Sequence, residues 1–471
     1  MNTLEISPDQ FRRLAERVTE LAAHYLADMD SRPIAPARTG AEVSRLFRAP
    51  LPEQGIGEEA LAALPDLVGH SRVQNGRFFG YVLGSGDPVG AVADLLASVL
   101  NQNVTAWRSG PAAVAIEHTV VGWLAEAIGC ADFSGHLTGG GSSANLMGLA
   151  MAREAKTPAN ERGIAAGGVV YASSEIHMSI PKSIALLGIG RDHLRLIATD
   201  DSFRMIPEEL EAALVRDQAA GRIPLAVVAS AGTVSTGAID PLRQIAEIAR
   251  RHRAWFHIDG AYGALAAIAD RAKFDGMELA DSISLDPHKW LYQPLDCGCL
   301  LYRSADAARQ AFSHTGDYAR TLNADPVEGF AFFEESMELS RRFRALKLWL
   351  SLRYHGMAAF RDSIAKDMAQ ARRLADAVCK EPGMELLAPV ELSAVCFRYR
   401  GEGDPPDETL NHRNEKILKK VLDRGRVYLS NASLRGKFCL RACIVNHRTS
   451  DADVDSIVPE VVSAAREIAQ A

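Results

Sequence analysis

No apolar run in this 471-residue chain approaches the roughly 18 residues that a bilayer-spanning helix needs, so a membrane protein is not expected. Basic residues form no run and the formal net charge is −7. That argues against nucleic acid as the main partner while leaving small anionic ligands open. Cysteine is sparse: seven residues, an odd number, scattered without ligand spacing. Cys297-x-Cys299 and Cys439-x3-Cys443 match no common zinc or redox pattern. No metal site is therefore expected, and the thiols read as reduced, in a cytoplasmic protein. The first residues carry acidic groups and no apolar core segment, unlike a signal peptide. Internal repeats and low-complexity tracts are absent.

What remains is an ordinary globular composition, 47% apolar and 24% charged, long enough for one large domain and a smaller one. Ser7-Pro8-Asp9-Gln10 is a helix start, with Ser7 as N-cap, Pro8 in the first position and Gln10 completing a capping box. Phe11, Leu14, Val18, Leu21 and Tyr25 follow at helical spacing. Arg32-Pro33-Ile34-Ala35-Pro36 ends this helix, whose stripe must be buried on its own domain or on another subunit. Mainly helices are expected from 71 to 130, including 89–100 and 112–128. Strand patterns at 169–172, 194–198, 225–230, 255–258, 282–285 and 298–302 then alternate with helical ones at 142–155, 207–218 and 242–252. This alternation implies an α/β fold, a mostly parallel sheet flanked by helices on both faces. The pattern fades from Tyr318 to Glu335, as in a long functional loop, and resumes as a helix at 341–354. The expected organisation is an N-terminal helical segment at 1–70, a large domain at 71–350 and a small C-terminal α+β domain at 351–471.

Chemistry concentrates in Ser284-Leu285-Asp286-Pro287-His288-Lys289-Trp290. The turn joins two apolar strands, where burial disfavours a charged amine, and a desolvated amine is what Schiff-base chemistry uses. Upstream, the apolar strand in Trp255-Phe256-His257-Ile258-Asp259-Gly260-Ala261 ends in an aspartate. Ligands of open α/β sheets gather beyond the carboxyl ends of strands, which puts Asp259 and Lys289 at one rim. Thr138-Gly139-Gly140-Gly141-Ser142-Ser143-Ala144-Asn145 can hold a phosphate: its glycines let the backbone approach, and a helix N-terminus follows. The stretch is neither a Rossmann fingerprint nor a Walker loop, because Gly-x-Gly-x-x-Gly and a following Gly-Lys-Ser/Thr are both missing. Trp290 reads as core.

Asp281-Ser282 followed by Asp286-Pro287-His288-Lys289-Trp290 resembles the signature of the pyridoxal-dependent amino-acid decarboxylases. That group includes the aromatic amino-acid, glutamate, cysteine-sulfinate and diaminobutyrate enzymes, and the likeness runs from about residue 8 to near the C-terminus. It implies pyridoxal 5'-phosphate (PLP) as cofactor, the fold type I (aspartate-aminotransferase-like) architecture, and a homodimer with the N-terminal helix packed across the interface and the site at it. In this resemblance Lys289 holds PLP covalently and Asp259 keeps the pyridine nitrogen protonated. Gly141, Ser142, Ser143 and His288 hold the phosphate, and Ala261 packs on the ring. His177 stacks on that ring near the substrate carboxylate, with Thr233 close by. Arg441 either meets the α-carboxylate or forms a domain-surface ion pair.

The expected reaction is decarboxylation of an L-amino acid to its amine and carbon dioxide. Tyr81 and the segment containing Asn103 and Thr105 are expected near the substrate. That segment is more polar than in the aromatic enzymes, so aromatic, acidic and basic substrates stay open. In the family a loop tyrosine returns the proton to Cα, and members with phenylalanine there give an aldehyde. Counting back from Arg341 puts Phe332 in that place, with Tyr318 as another donor. An aldehyde synthase is therefore the alternative function, and an aminotransferase a further one.

Overall fold

The computed structural model describes residues 4–35, 38–164, 167–314 and 325–470. Seven strands form the main sheet: β1 Ser134–Thr138, β2 Gly168–Ser173, β3 Leu194–Ile197, β4 Ile223–Ser230, β5 Trp255–Asp259, β6 Ser282–Leu285 and β7 Gly298–Tyr302. Their order is β1-β7-β6-β5-β4-β2-β3, with β2 to β6 parallel and β7 antiparallel to both β1 and β6. Residues in β2, β5, β6 and β7 are buried throughout, because helices cover both faces. This is why these strands read as unbroken apolar runs.

β1 was not anticipated. Its sequence, Ser-Gly-His-Leu-Thr, has a single large aliphatic residue, and pairing with β7 rather than composition holds it in the sheet. Residues 71–87, expected to be part of a mainly helical region, have no helix. They run between the two halves of the molecule: Phe79 N donates to Tyr428 O, Cys443 N donates to Phe79 O, and Gly84 N donates to His288 O. Backbone groups committed to such cross-chain partners are not available for a helical ladder.

A second, antiparallel sheet is built from β8 Met384–Leu386, β9 Ala394–Tyr399, β10 Ser430–Leu434 and β11 Lys437–Cys443, in the order β10-β11-β9-β8. Its core includes Val395, Phe397, Ile417, Leu440 and Val461. The helix expected at 341–354 begins instead at Ala345 and continues to Lys380, with a break in helical geometry at Gly356 (φ 78°). Arg341 does not join it because its backbone is committed elsewhere, its N donating to Asn103 Oδ1 and its O accepting from Val104 N, while Arg344 is the residue that caps the helix. The helix packs on helices Pro88–Leu100 and Pro111–Ala127 and on β8 and β9, and so connects the two layers. The capping box at Ser7 and Gln10 forms as expected, opening the helix Pro8–Asp28. No helix among the described residues is long and apolar enough to cross a membrane.

Candidate active site

The carboxyl ends of β5 and β6 and the turn after β1 open onto one cavity of about 300 Å³. Asp259 is the last residue of β5, and Lys289 lies in the short helix Pro287–Trp290 that follows β6. The loop from Gly139 to Ser143 faces them and continues into the helix Gly141–Lys156. His177 enters from the segment after β2. Sheet order thus brings together residues that are up to 150 positions apart.

Lys289 Nζ lies 2.8 Å from Asp286 Oδ2, and the Asp286 side chain is only 4% exposed. His288 Nε2 stands 3.6 Å from the same oxygen, and its Nδ1 accepts from Cys297 N at 3.2 Å. The other Asp286 oxygen, Oδ1, is buried with no hydrogen-bond partner among the described residues. Asp259 Oδ1 accepts from Ser284 Oγ at 3.2 Å and from Ala261 N at 3.3 Å, which holds its carboxylate in a set orientation. Burial lowers the pKa of His177, and the nearby Asp259 carboxylate partly opposes this. His288 is lowered by burial as well, with Asp286 opposing.

These residues fit PLP. Gly140 has φ 142°, a conformation that side chains rarely adopt. A Cβ on Gly141 would lie 2.5 Å from Ala261 Cβ and 3.0 Å from Asp286 Oδ2. The loop is therefore bare backbone, with Ser142 and Ser143 and a helix N-terminus beside it, as an anionic phosphate requires. An amine, a carboxylate for the pyridine nitrogen and an imidazole complete the donor set in the same cavity.

Residues 48–400 match the pyridoxal-dependent decarboxylase conserved domain. The chain belongs to this family. PLP is its cofactor, and the chain is a PLP-dependent amino-acid decarboxylase. It is 33% identical to an aromatic-L-amino-acid decarboxylase of Bacillus atrophaeus, over 99% of this chain and 97% of that protein. It is 30% identical to a phenylacetaldehyde synthase of Petunia hybrida, over 93% and 91%. Among solved structures, Oryza sativa TDC with PLP and tryptamine matches with a TM-score of 0.92 and 27% identity, over 99% of each chain.

The cavity of this decarboxylase brings together Lys289, His288, Asp259, His177, Ala261, Gly141, Ser142 and Ser143. Thr233 stands apart: its neighbours Gly232 and Val234 line the cavity, but its hydroxyl meets Thr236 Oγ1 at 2.9 Å and accepts from Ala238 N. Arg441 is buried rather than on the surface. It donates to Val234 O at 2.5 Å and to Ser430 Oγ at 3.1 Å, and it forms no ion pair among the described residues. The domain-surface ion pair considered for Arg441 is therefore not what the structure shows.

Tyr81, Asn103 and Thr105 do not line the cavity within this chain. Tyr81 is 49% exposed; its hydroxyl lies 3.1 Å from that of Tyr428 and accepts from Arg72. Asn103 Oδ1 accepts from Arg341 N, and Thr105 O accepts from Phe333 N.

Phe332 requires a correction. It is fully buried in a 3-10 turn, Phe332–Glu334, with its ring 5.0 Å from that of His118 and 4.8 Å from that of Phe330, under the Arg341 guanidinium. The apolar run around Phe330, Phe332 and Phe333 buries itself against the helix carrying His118, so Phe332 is core and does not reach the cavity. Tyr318 lies outside the described residues.

Several cavity residues had no local signal strong enough to single them out. Asp286 directly follows an apolar strand, much as Asp259 closes one, which was the available hint. Asn145, Tyr262, Val234 and Leu295 look like ordinary helix, core or loop residues until the sheet order places them.

Proposed function

We propose that this decarboxylase acts on aromatic L-amino acids and releases the corresponding amine and carbon dioxide, as a homodimer in the cytoplasm. The observation that carries the reading is the convergence of Lys289, Asp259, His177 and the Gly139–Ser143 loop on one cavity. Bound PLP supplies an electron sink for the pair left when the bond from Cα to the carboxylate breaks. Gly141, Ser142 and Ser143 bind the phosphate, Lys289 provides the anchoring amine, and Asp259 favours the protonated pyridine nitrogen. His177, which also lines the cavity, presents an imidazole near the substrate. Arg441 does not itself line the cavity of this chain, but it donates to the backbone of Val234, which does, and its buried guanidinium has no carboxylate partner among the described residues, which suits a substrate carboxylate.

The aromatic substrate is supported by the apolar lining from Val234, Tyr262 and Leu295, and by the aromatic-L-amino-acid decarboxylase to which the chain is similar. The polar segment with Asn103 and Thr105, which pointed to other substrates, lies away from the cavity in this chain. With Phe332 in the core, the ground for an aldehyde product at that residue falls away, so the amine is the reading favoured here. The test is to incubate the PLP-loaded enzyme separately with tryptophan, tyrosine, dopa, phenylalanine, glutamate and diaminobutyrate. Carbon dioxide, amine, aldehyde, ammonia and oxygen uptake are followed together. Amine from aromatic substrates without oxygen uptake is expected; turnover of glutamate or diaminobutyrate alone overturns the substrate class.

Two unpartnered faces support the dimer. The helix Pro8–Asp28 has no buried residue, and the helix Pro88–Leu100 exposes Val92, Leu95, Leu96 and Val99. Light scattering after size exclusion should give twice the chain mass at micromolar concentration, and a monomer there refutes it. All seven cysteines are free thiols, which supports a reducing compartment; cell fractionation checks this.

A further inference from the structure

A chain of buried polar side chains leads away from the cavity through the protein. His177 Nδ1 lies 2.9 Å from Ser179 Oγ and also accepts from Ser179 N at 3.2 Å. Asn145 Nδ2 donates to Ser179 Oγ at 3.0 Å. Asn145 Oδ1 lies 2.9 Å from His257 Nε2, and His257 Nδ1 lies 2.8 Å from Ser282 Oγ. The indole nitrogen of Trp255 donates to Ser282 Oγ at 2.8 Å. Asn145, Ser179, His257 and Ser282 are all buried, and they come from four different segments of the chain. The helix Gly141–Lys156 makes room for them at Gly148, where a Cβ would lie 2.7 Å from His257 Cε1 and 2.8 Å from its Nδ1.

The direction of every proton in this chain follows from its two ends. The Trp255 indole N–H can only donate, so Ser282 Oγ accepts and its own proton goes to His257 Nδ1. His257 then carries its proton on Nε2 and gives it to Asn145 Oδ1. The Asn145 amide nitrogen gives to Ser179 Oγ, whose proton points at His177 Nδ1. At the other end, the backbone N–H of Ser179 is also an obligate donor aimed at the same Nδ1. Turning the Asn145 amide over would leave Ser282 Oγ accepting from both Trp255 and His257, with no further acceptor among the described residues for its own proton. Only one polarity satisfies each buried group.

We propose that this relay, Trp255–Ser282–His257–Asn145–Ser179, holds His177 as a neutral imidazole with its proton on Nε2, the ring nitrogen left for the cavity. Trp255, Ser282, His257 and Ser179 are not among the residues lining the cavity and are positioning residues; Asn145 does line it, and the role assigned to it here is exerted through Ser179. An imidazolium at His177 would need a proton on Nδ1, where two donors already converge. The charged groups facing His177 are Asp259 from β5, Asp286 and Lys289 from the turn after β6, and Lys182 from the helix Ser179–Leu186. Asp259 also faces His257. Burial is the largest cause disfavouring imidazolium, with Lys289 and Lys182 adding to it, while the two carboxylates favour it; the relay acts with burial and keeps a hydrogen-bond donor directed at the ligand. The inference rests on the reading of His177 as a cavity residue, and its test does not depend on turnover.

Histidine nitrogens labelled with 15N are observed by long-range proton correlation in the enzyme with and without PLP, and His177 is assigned from the signals lost in His177→Gln. A proton on Nε2 and none on Nδ1 is expected from pH 8 to pH 6. His257→Leu lets the Asn145 amide turn over, and the His177 titration midpoint should then rise by about one pH unit, a tenfold change in imidazolium. His257→Gln retains a donor to Asn145 and should keep the wild-type signals. Should His257→Leu fail to fold, Ser282→Ala serves instead: without the Ser282 hydroxyl, His257 Nδ1 loses the donor that fixes its tautomer, and the same rise is expected with no new charge introduced. A wild-type proton on Nδ1, or a His177 titration that ignores these substitutions, overturns the relay. Activity lost with His177 signals unchanged would likewise assign these residues a purely structural role.

Discussion

Lys289 is the one lysine lining the cavity among the described residues, and Asp286 pairs with its amine. Lys289→Ala should abolish turnover and remove the visible absorbance that PLP gains on binding. Borohydride reduction should then leave no cofactor on the chain, and an adduct found at a different lysine contradicts the assignment. Phe332 tests the opposite kind of residue. Phe332→Tyr puts a hydroxyl into a fully buried aromatic cluster, at a cost of about 1–3 kcal/mol if it finds no partner. Its melting temperature should fall while the ratio of amine to peroxide stays as in the wild type; a changed ratio would return Phe332 to the chemistry. At this scale Lys289 and Asp259 were legible because each follows an apolar strand in its own sequence neighbourhood. The partner of Lys289, three residues away, was within reach of the same argument. The partner of His257, 112 positions away, was not.

The helix Ala345–Lys380 carries the clearest pH-linked group among the elements. Asp367 is fully buried, accepting from Tyr292 Oη at 2.9 Å and from Asn446 N at 3.0 Å. Burial pushes its carboxyl up to about 7, against those two hydrogen bonds. A raised value means that the fold prefers the neutral form. The stability it contributes is full below the ordinary value of 3.8 and is lost as pH rises to about 7. Asp367→Asn is neutral throughout. Relative to it, the wild type should lose on the order of 1 kcal/mol per pH unit between pH 5 and 7, and little beyond. Melting curves at pH 5, 6, 7 and 8 measure this, and a constant gap between the two proteins would show that Asp367 stays charged. Elements whose burial shows as a run or a stripe were readable in advance, as were the caps of Pro8–Asp28. β1 was not, since its place depends on β7, more than 150 residues later.

Across the whole molecule, acid stability is governed by histidines that burial holds neutral. His257 and His447 are both lowered to about 4, with desolvation as the largest cause. For a base whose folded pKa is depressed, the stability is full above the ordinary value of 6.5 and is lost as pH falls toward about 4. Burial also lowers His118, His136, His177 and His288, and these six histidines outnumber the four carboxyls that burial raises, Asp240, Asp281, Asp367 and Glu175, so the melting temperature should fall as pH drops from 6.5 to 4. His447→Gln should make that fall shallower, and an unchanged slope would argue against His447 as a contributor. Local residues alone revealed most of the buried strands, the place of the Lys289 turn after one of them, and the chemistry these residues can perform. Each of those follows from covalent neighbours whose apolar periodicity or backbone freedom is local. Folding had to reveal that Phe332 is core, that Arg441 is buried with no ion pair among the described residues, and that Asp286 meets Lys289. It also decided that a polar relay reaches His177. These outcomes depend on strand order and side-chain packing between distant segments, and no local pattern encodes which distant group will satisfy a buried donor.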